Sequence, residues 1–420
     1  MGSSANMKRS VNMTVDCPAR LTNTTPPNPM SETISVEGSD DRRLIASIDA
    51  ACDWMEAVYA DGNYTKVTVH RQWSKHNPTI SGKMARPSAF RWYLHRELLR
   101  LAKQGAKILI SRAQPRLALE STMLLQVIDE TDFDHTRKKA FLFGPERAEL
   151  SIQRLEHYTS TAVEDFQRYV LLTNYQMHID AFCEMFPACR RPARADAQMP
   201  AYHHLGADHS GFSIVNIGVG PSNAKTLTDH IAVLRPDAML MVGHCAGVRN
   251  HQEIGDFVLA SGYMRDDHVL DQALPRSVPI APSFLLNRYL AKILDARRLT
   301  YRYGTVYTTA NRNWELTLKE TLKDLKSSRS VAVDMESATV AANGFRYRIP
   351  CATLLCVSDK PLHGSPKLPQ AAKAFYDKSK LQHLQIACDA LGMARHEYPD
   401  GIPNSDLRAM DEPLLGGPEG

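Results

Sequence analysis

Hydrophobic positions in this chain keep two periods, and the switches between them outline an α/β protein. Leu44, Ile45, Ile48, Ala51, Met55 and Val58 recur at helical spacing and stop at Asp61-Gly62. NYTKVTVHRQW alternates as a strand does, and SAFRWYLHRELLRLAKQGAKILISRA predicts a helix, a glycine turn and another strand. A strand-then-helix rhythm follows, in RYVLLTNY with HIDAFCEMF and in SIVNIGVG with PSNAKTLTDHIAVL. DAMLMVGHCAGV reads as a buried strand running into a glycine turn, and SFLLNRYLAKILDARRL as a helix. YGTVYTTANRNWE predicts a strand and a loop, and LKETLKDLKSS a surface helix with charges paired at helical spacing. VAVDMESATVAA is a strand giving way to an Ala-rich helix, and CATLLCV is a last strand. Gly255-Asp256 marks a turn in which Asp256 is structural, and RDDHVLD reads as a solvated loop.

The same pattern divides the chain. Residues 1–40 are rich in Ser, Thr, Asn and Pro, lack periodic apolar positions and read as a disordered leader, with Met7, Met13 and Met30 as alternative starts. Residues 41–148 form a small N-terminal α/β (α+β) domain, 149–395 a larger α/β domain, and the Pro/Gly-rich 396–420 a flexible tail.

Composition narrows the class. A net charge of +4 on 420 residues gives no support to a nucleic-acid or membrane-surface role. No apolar run approaches the ~18 residues of a membrane span. Eight scattered cysteines without a CxxC pair point to buried thiols in a reducing cytoplasm rather than to disulfides or zinc. The doublet His203-His204 lies on an extended segment, where neighbours face opposite ways, so no metal site is expected there.

Two acids stand out, Glu336 in MESA and Asp359 one residue past LLCVS on the following loop. Each follows a short β-type run, where side chains face an open crevice beyond the strand's carboxyl end. Paired there, they suit acid/base work on a polyhydroxylated substrate. Taken singly, either would serve equally well as a helix cap.

VDMESA followed about 23 residues later by CVSDKP resembles the nucleoside phosphorylase/nucleosidase superfamily. VNIGVGPSNAKTLTDHIAVLRPDAMLMVGHCAG, GDFVLASGYMRDDHVLD, TTANRNWE, AVDMESATVAANGFR and LLCVSDKPLHG are similar, in order, to strings of the bacterial AMP nucleosidases. GNYTKVTV and ARPSAFRWYL resemble that family's N-terminal regulatory domain. The resemblance implies a three-layer α/β catalytic domain with a central mixed sheet. It implies hydrolysis of AMP to adenine and ribose 5-phosphate, a cytoplasmic homo-hexamer, no cofactor for the chemistry, and Mg-ATP as allosteric activator.

The resemblance also distributes roles. Asp359 would protonate the departing purine, and Met335 and Glu336 would grip the ribose, with Glu336 stabilising an oxocarbenium-like transition state. Cys245, Ala246, Gly247, Trp314 and Ser358 would line the base, and Asn174, Tyr175, His244 and Arg312 the 5′-phosphate. The amides opening the PSNAK helix after the glycine turn would add to phosphate binding. TNY stands where phosphorolytic relatives carry a Gly/Arg loop, which favours water as nucleophile. The chain departs from the family at Ala246, Ala310 and Asn311 and in a short stretch between Arg112 and Phe133. Two alternatives stand beside this reading: another purine nucleosidase or phosphorylase, and an idle nucleotide-binding protein.

Overall fold

Strand alternation decides what each sheet face touches, and two sheets result. The computed structural model describes residues 32–38, 40–71, 79–120, 128, 141–366 and 369–403, the side chains of 369–380 excepted. The first sheet is antiparallel, in the order β1 (Thr33–Val36), β4 (Lys107–Pro115), β2 (Asn63–His70), β3 (Thr79–Met84). Val67, Val69, Ile108 and Ile110 pack against α1 (Asp41–Ala60) and α2 (Arg91–Lys103). Asp40 caps α1 by accepting from the Arg43 amide at 3.0 Å. Cys52 and Trp54 join the buried face of α1, whereas Ile45 is left 41% exposed.

The leader expected over residues 1–40 therefore ends early. Residues 1–31 lie outside the described set, but Thr33–Val36 pairs with β4 as an edge strand. Only Val36 of its four residues is buried, so main-chain pairing holds it, and pairing leaves no hydrophobic period to read. The expected tail is anchored where it begins. Ile402 is buried, and the Pro399 carbonyl accepts from Arg168 at 2.6 Å; residues 404–420 lie outside the described set.

The second sheet is mixed and holds β5 (Tyr169–Thr173), β6 (Ala201–His204), β7 (Phe212–Asn216), β8 (Ala238–Gly247), β9 (Phe257–Asp266), β10 (Tyr301–Thr309), β11 (Ala332–Asp334) and β12 (Cys351–Asp359). Their order is β11-β10-β9-β12-β8-β5-β7-β6. Val170, Leu172, Met239 and Met241 face α3 (Pro145–Thr159), α5 (Pro221–Ile231) and α8 (Ser337–Arg346). Their alternates Leu171, Leu240 and Val242, with Leu354 of β12, face α4 (Gln176–Met185), α6 (Phe284–Ala296) and α9 (Pro369–Glu397). The expected three-layer α/β domain with a smaller domain before it is what forms. Among the described residues no helix is long and apolar enough to cross a membrane.

One pairing bends this sheet. β11 pairs with β10 and also, antiparallel, with β8, so β8, β12, β9, β10 and β11 close a ring. Cys245, Val258, Ala260, Val306, Ala332, Leu355 and Val357, drawn from all five strands, form one apolar cluster. The segment 244–247, expected to turn, stays in β8, because β11 and β12 pair with it on either side. RDDHVLD is not solvated at its start: Arg265 donates to the Leu274 and Pro275 carbonyls, and Asp267 is a buried acceptor for Thr339. Asp256 is structural, paired with Arg302 at 3.2 Å.

The two sheets share one apolar cluster, which runs from Ile48 and Leu94 through Ile152 to Val170. A buried ion network reinforces it. Asp237, 0% exposed, accepts from Arg168 Nε at 2.7 Å and from Arg96 of α2 at 3.2 Å. Removing the acid would leave two guanidinium groups in an apolar seam. Asp237→Ala is therefore expected to destabilise the chain by roughly 3–5 kcal/mol, read as a lower thermal midpoint than for exposed-site controls such as Asp400→Ala.

Candidate active site

β11 is three residues long and ends on Asp334, which takes the capping role that Glu336 could have filled. Asp334 accepts from the Ser337 amide at 2.9 Å and from the Thr308 hydroxyl at 2.5 Å. Thr308 Oγ1 in turn accepts from the Ala338 amide at 3.0 Å. With α8 capped by Asp334 and Thr308, Glu336 is released to face the opposite loop. There the Gly220 amide donates to its Oε1 at 2.7 Å, and the Asn174 side-chain amide donates as well. Gly220 holds φ at +106°, a conformation that L side chains rarely adopt, and so can present this amide. The Gly220 amide, just before α5, thus serves Glu336.

Glu336 is 3% exposed. Burial and then the nearby Asp334 charge push its carboxyl up to about 8, against the pull of the Gly220 and Asn174 donors. Burial raises Asp334 too, although Ser337 and Thr308 donate to it. In the folded chain the pair still holds, near neutral pH, a proton that two exposed carboxyls would already have released in mild acid.

The closed ring brings the second acid alongside. Ala246 pairs with Val333 of β11 on one side and with Asp359 of β12 on the other. The ladder shifts register between Val357 and Asp359, a bulge that re-aims the strand end. Asp359 is therefore the last residue of β12 and buried, not on the loop that was expected. Ser358 Oγ lies 2.5 Å from Asp359 Oδ1 and 3.3 Å from the Cys245 carbonyl.

The other expected residues divide. Cys245, Ala246, Gly247 and Ser358 meet at the Asp359 end, but the Cys245 side chain belongs to the ring cluster and its carbonyl accepts from Ser358. Trp314 is buried against Ala246, Val248, Tyr307 and Val333. Met335 is half-buried between the two acids of its segment. Asn174 touches Glu336, and the Tyr175 ring meets that of His244 at 4.6 Å. Arg312 is exposed on the loop after β10, and no contact among those described joins it to the other three. Ring contacts also bring His178 and His383 to His244. His203 engages both ring nitrogens, with Ser213 at 2.8 Å and Thr161 at 3.0 Å, while His204 stacks on Phe186.

Asp334 and Thr308 were not singled out by pattern. An acid two residues before Glu336 was visible, but the choice between the two as cap depends on which faces Ser337. Away from these strand ends, a cleft of about 1040 Å³ lies between the two domains, lined by Arg91, Trp92, Arg96, Arg168 and Arg395 among others. It includes neither Glu336 nor Asp359.

The phosphorylase superfamily model matches residues 204–391, which include both acids. The AMP nucleosidase of Escherichia coli K12 is 39% identical over 421 aligned positions, covering 84% of this chain and 87% of its own, and that of Escherichia coli O157:H7 matches equally. The crystal structure of AMP nucleosidase from Bacteroides thetaiotaomicron VPI-5482 is 29% identical, with a TM-score of 0.51, and covers 60% of this chain and 99% of its own. Fold and sequence together define an α/β enzyme of the phosphorylase superfamily. Within it, the chain belongs to the AMP nucleosidase family.

The raised Glu336 carboxyl has a consequence for stability. A folded-state value near 8 against 4.5 means that the folded chain binds more protons than the unfolded one within that window. Stability contributed by this group is present below pH 4.5 and is lost as pH rises towards 8. Thermal midpoints taken from pH 5 upward should fall less steeply in Glu336→Gln than in the wild type; parallel slopes would remove the assigned protonation.

Proposed function

We propose that this enzyme hydrolyses the N-glycosidic bond of AMP, with Asp359 as general acid on the purine and Glu336 as the group that holds the ribose. The observation that carries the reading is the ring closure, which sets two buried acids at the ends of β11 and β12 around Ala246. Adenine leaves poorly unless its five-membered ring is protonated. Ser358 orients Asp359, because its hydroxyl lies between that carboxyl and the Cys245 carbonyl; the proton given to the purine is replaced through solvent by the one that the attacking water loses. With Asp359 protonated, its O–H can donate to Ser358 and Ser358 to the carbonyl, so every group is satisfied.

Glu336 meets the sugar. Ribose hydroxyls donating to it, and positive charge developing on the ring, both favour its ionised form. Its proton passes to solvent as the sugar binds, and the carboxylate then stands where the oxocarbenium-like transition state needs it. Met335 flanks the ribose, the backbone of Cys245–Gly247 with Ser358 lines the base, and Trp314 backs that wall. The 5′-phosphate goes to Asn174, Tyr175 and His244, with Arg312 reaching it from the loop after β10. Water attacks the anomeric carbon from the face opposite the base. Protonation alone releases the leaving group, so the cleavage itself needs no cofactor. Cytoplasmic hexamer formation and activation by Mg-ATP are part of the same proposal, on the family resemblance.

Two measurements test this. Purified enzyme with AMP should release adenine and ribose 5-phosphate in phosphate-free buffer; a stoichiometric requirement for phosphate would overturn hydrolysis, and an ATP-magnesium arm reads the activation. Asp359→Asn should lose ~10²–10⁴-fold in rate with its thermal midpoint kept. A near-wild-type rate in that variant would remove Asp359 as the acid.

A further inference from the structure

Beneath the site, where α4, β8 and α9 meet, three histidines converge from positions far apart in the chain. His178 and His383 are 0% exposed and His244 is 7% exposed. Their ring centroids lie 5.0–5.4 Å apart, and one ring nitrogen of each is within 4.8 Å of the others. The mechanism above uses neither His178 nor His383.

We propose that His178, His244 and His383 hold a divalent transition-metal ion of the zinc class. The argument starts from the nitrogens already engaged. His383 Nε2 lies 2.9 Å from the Leu354 carbonyl, which can only accept, so Nε2 carries the hydrogen and Nδ1 the lone pair. His178 Nδ1 meets the Thr173 hydroxyl at 2.7 Å. Metal-binding histidines are typically anchored in this way, with one nitrogen held by a carbonyl or other polar group and the second left for the ion. Here the second nitrogens, His178 Nε2 and His383 Nδ1, are buried with no hydrogen-bond partner among the described residues. Buried polar atoms left unpartnered are destabilising, and a bound ion would satisfy both.

The chemistry of the set fits the ion. Full burial of His178 and His383 favours the neutral imidazole, the form that ligates. Three imidazoles without a carboxylate suit zinc and its transition-metal neighbours rather than calcium or magnesium. Zn–N bonds of about 2.0–2.1 Å in a tetrahedral site place nitrogens roughly 3.4 Å apart, within reach of modest ring rotation. An imidazole ligated through one nitrogen carries its proton on the other. The ion would thus tie two helices to β8 and fix His244 as a donor.

The test uses the full chain without a polyhistidine tag. Protein from zinc-supplemented cells should contain one zinc per chain by elemental analysis. His383→Leu, similar in bulk and apolar, should fall to background. Chelator-stripped wild type titrated with Co²⁺ should develop a visible ligand-field absorption that saturates at one equivalent. Thr173→Val, which keeps all three rings, should bind Co²⁺ about 10–100-fold more weakly. Wild type with neither zinc nor Co²⁺ absorption would overturn the site, and so would equal binding in His383→Leu; should His383→Leu not fold, the wild-type titration decides alone. None of these readouts depends on AMP turnover.

Discussion

Two carboxyl groups two residues apart are kept out of water at the end of β11, and much of the site follows from how each is accommodated. A buried acid must be protonated or given donors. Asp334 finds its donors in the helix it caps and in Thr308 at the end of β10. Glu336 finds its own in an amide that a positive-φ glycine presents and in Asn174 at the end of β5. Neither solution is local. Each needs another strand end to arrive at the right place, so the same sheet that builds the core also sets the electrostatics of the site.

Ring closure is what delivers those strand ends. An open sheet with β11 at its edge would leave Glu336 far from β8. Pairing β11 to β8 as well places Val333, Ala246 and Asp359 side by side. The ring's apolar interior keeps water from one side of the strands, and the Trp314 cluster covers the other near Ala246. Ala246, one of the positions where the chain departs from the family strings, falls at this junction, where its methyl packs against Trp314.

The small N-terminal sheet is not loosely attached. It shares an apolar cluster with α3 and α5, and Arg96 of α2 pairs with Asp237, the residue just before β8.

Much of this was legible in the residues. Strong periodicity or an unbroken apolar run marked α1, α2, α6 and the strands β2, β4, β5, β7, β8 and β12, because those faces are buried whichever neighbour covers them; of β9 only the turn before it was legible. Glu336 and Asp359 were legible as acids at strand ends, and ordered strings such as VDMESA and CVSDKP carried the family. Other features had no local signal. β1 is held by main-chain pairing, which leaves no side-chain period. Arg265 and Asp267 look like solvated charges until their distant partners are known. Which of Asp334 and Glu336 caps α8, and how His178, His244 and His383 come to meet, depends on contacts across 26 to 205 positions of chain. Local pattern establishes which faces must be buried; only the pairing of remote strands settles which polar groups are buried with them and what each must bond.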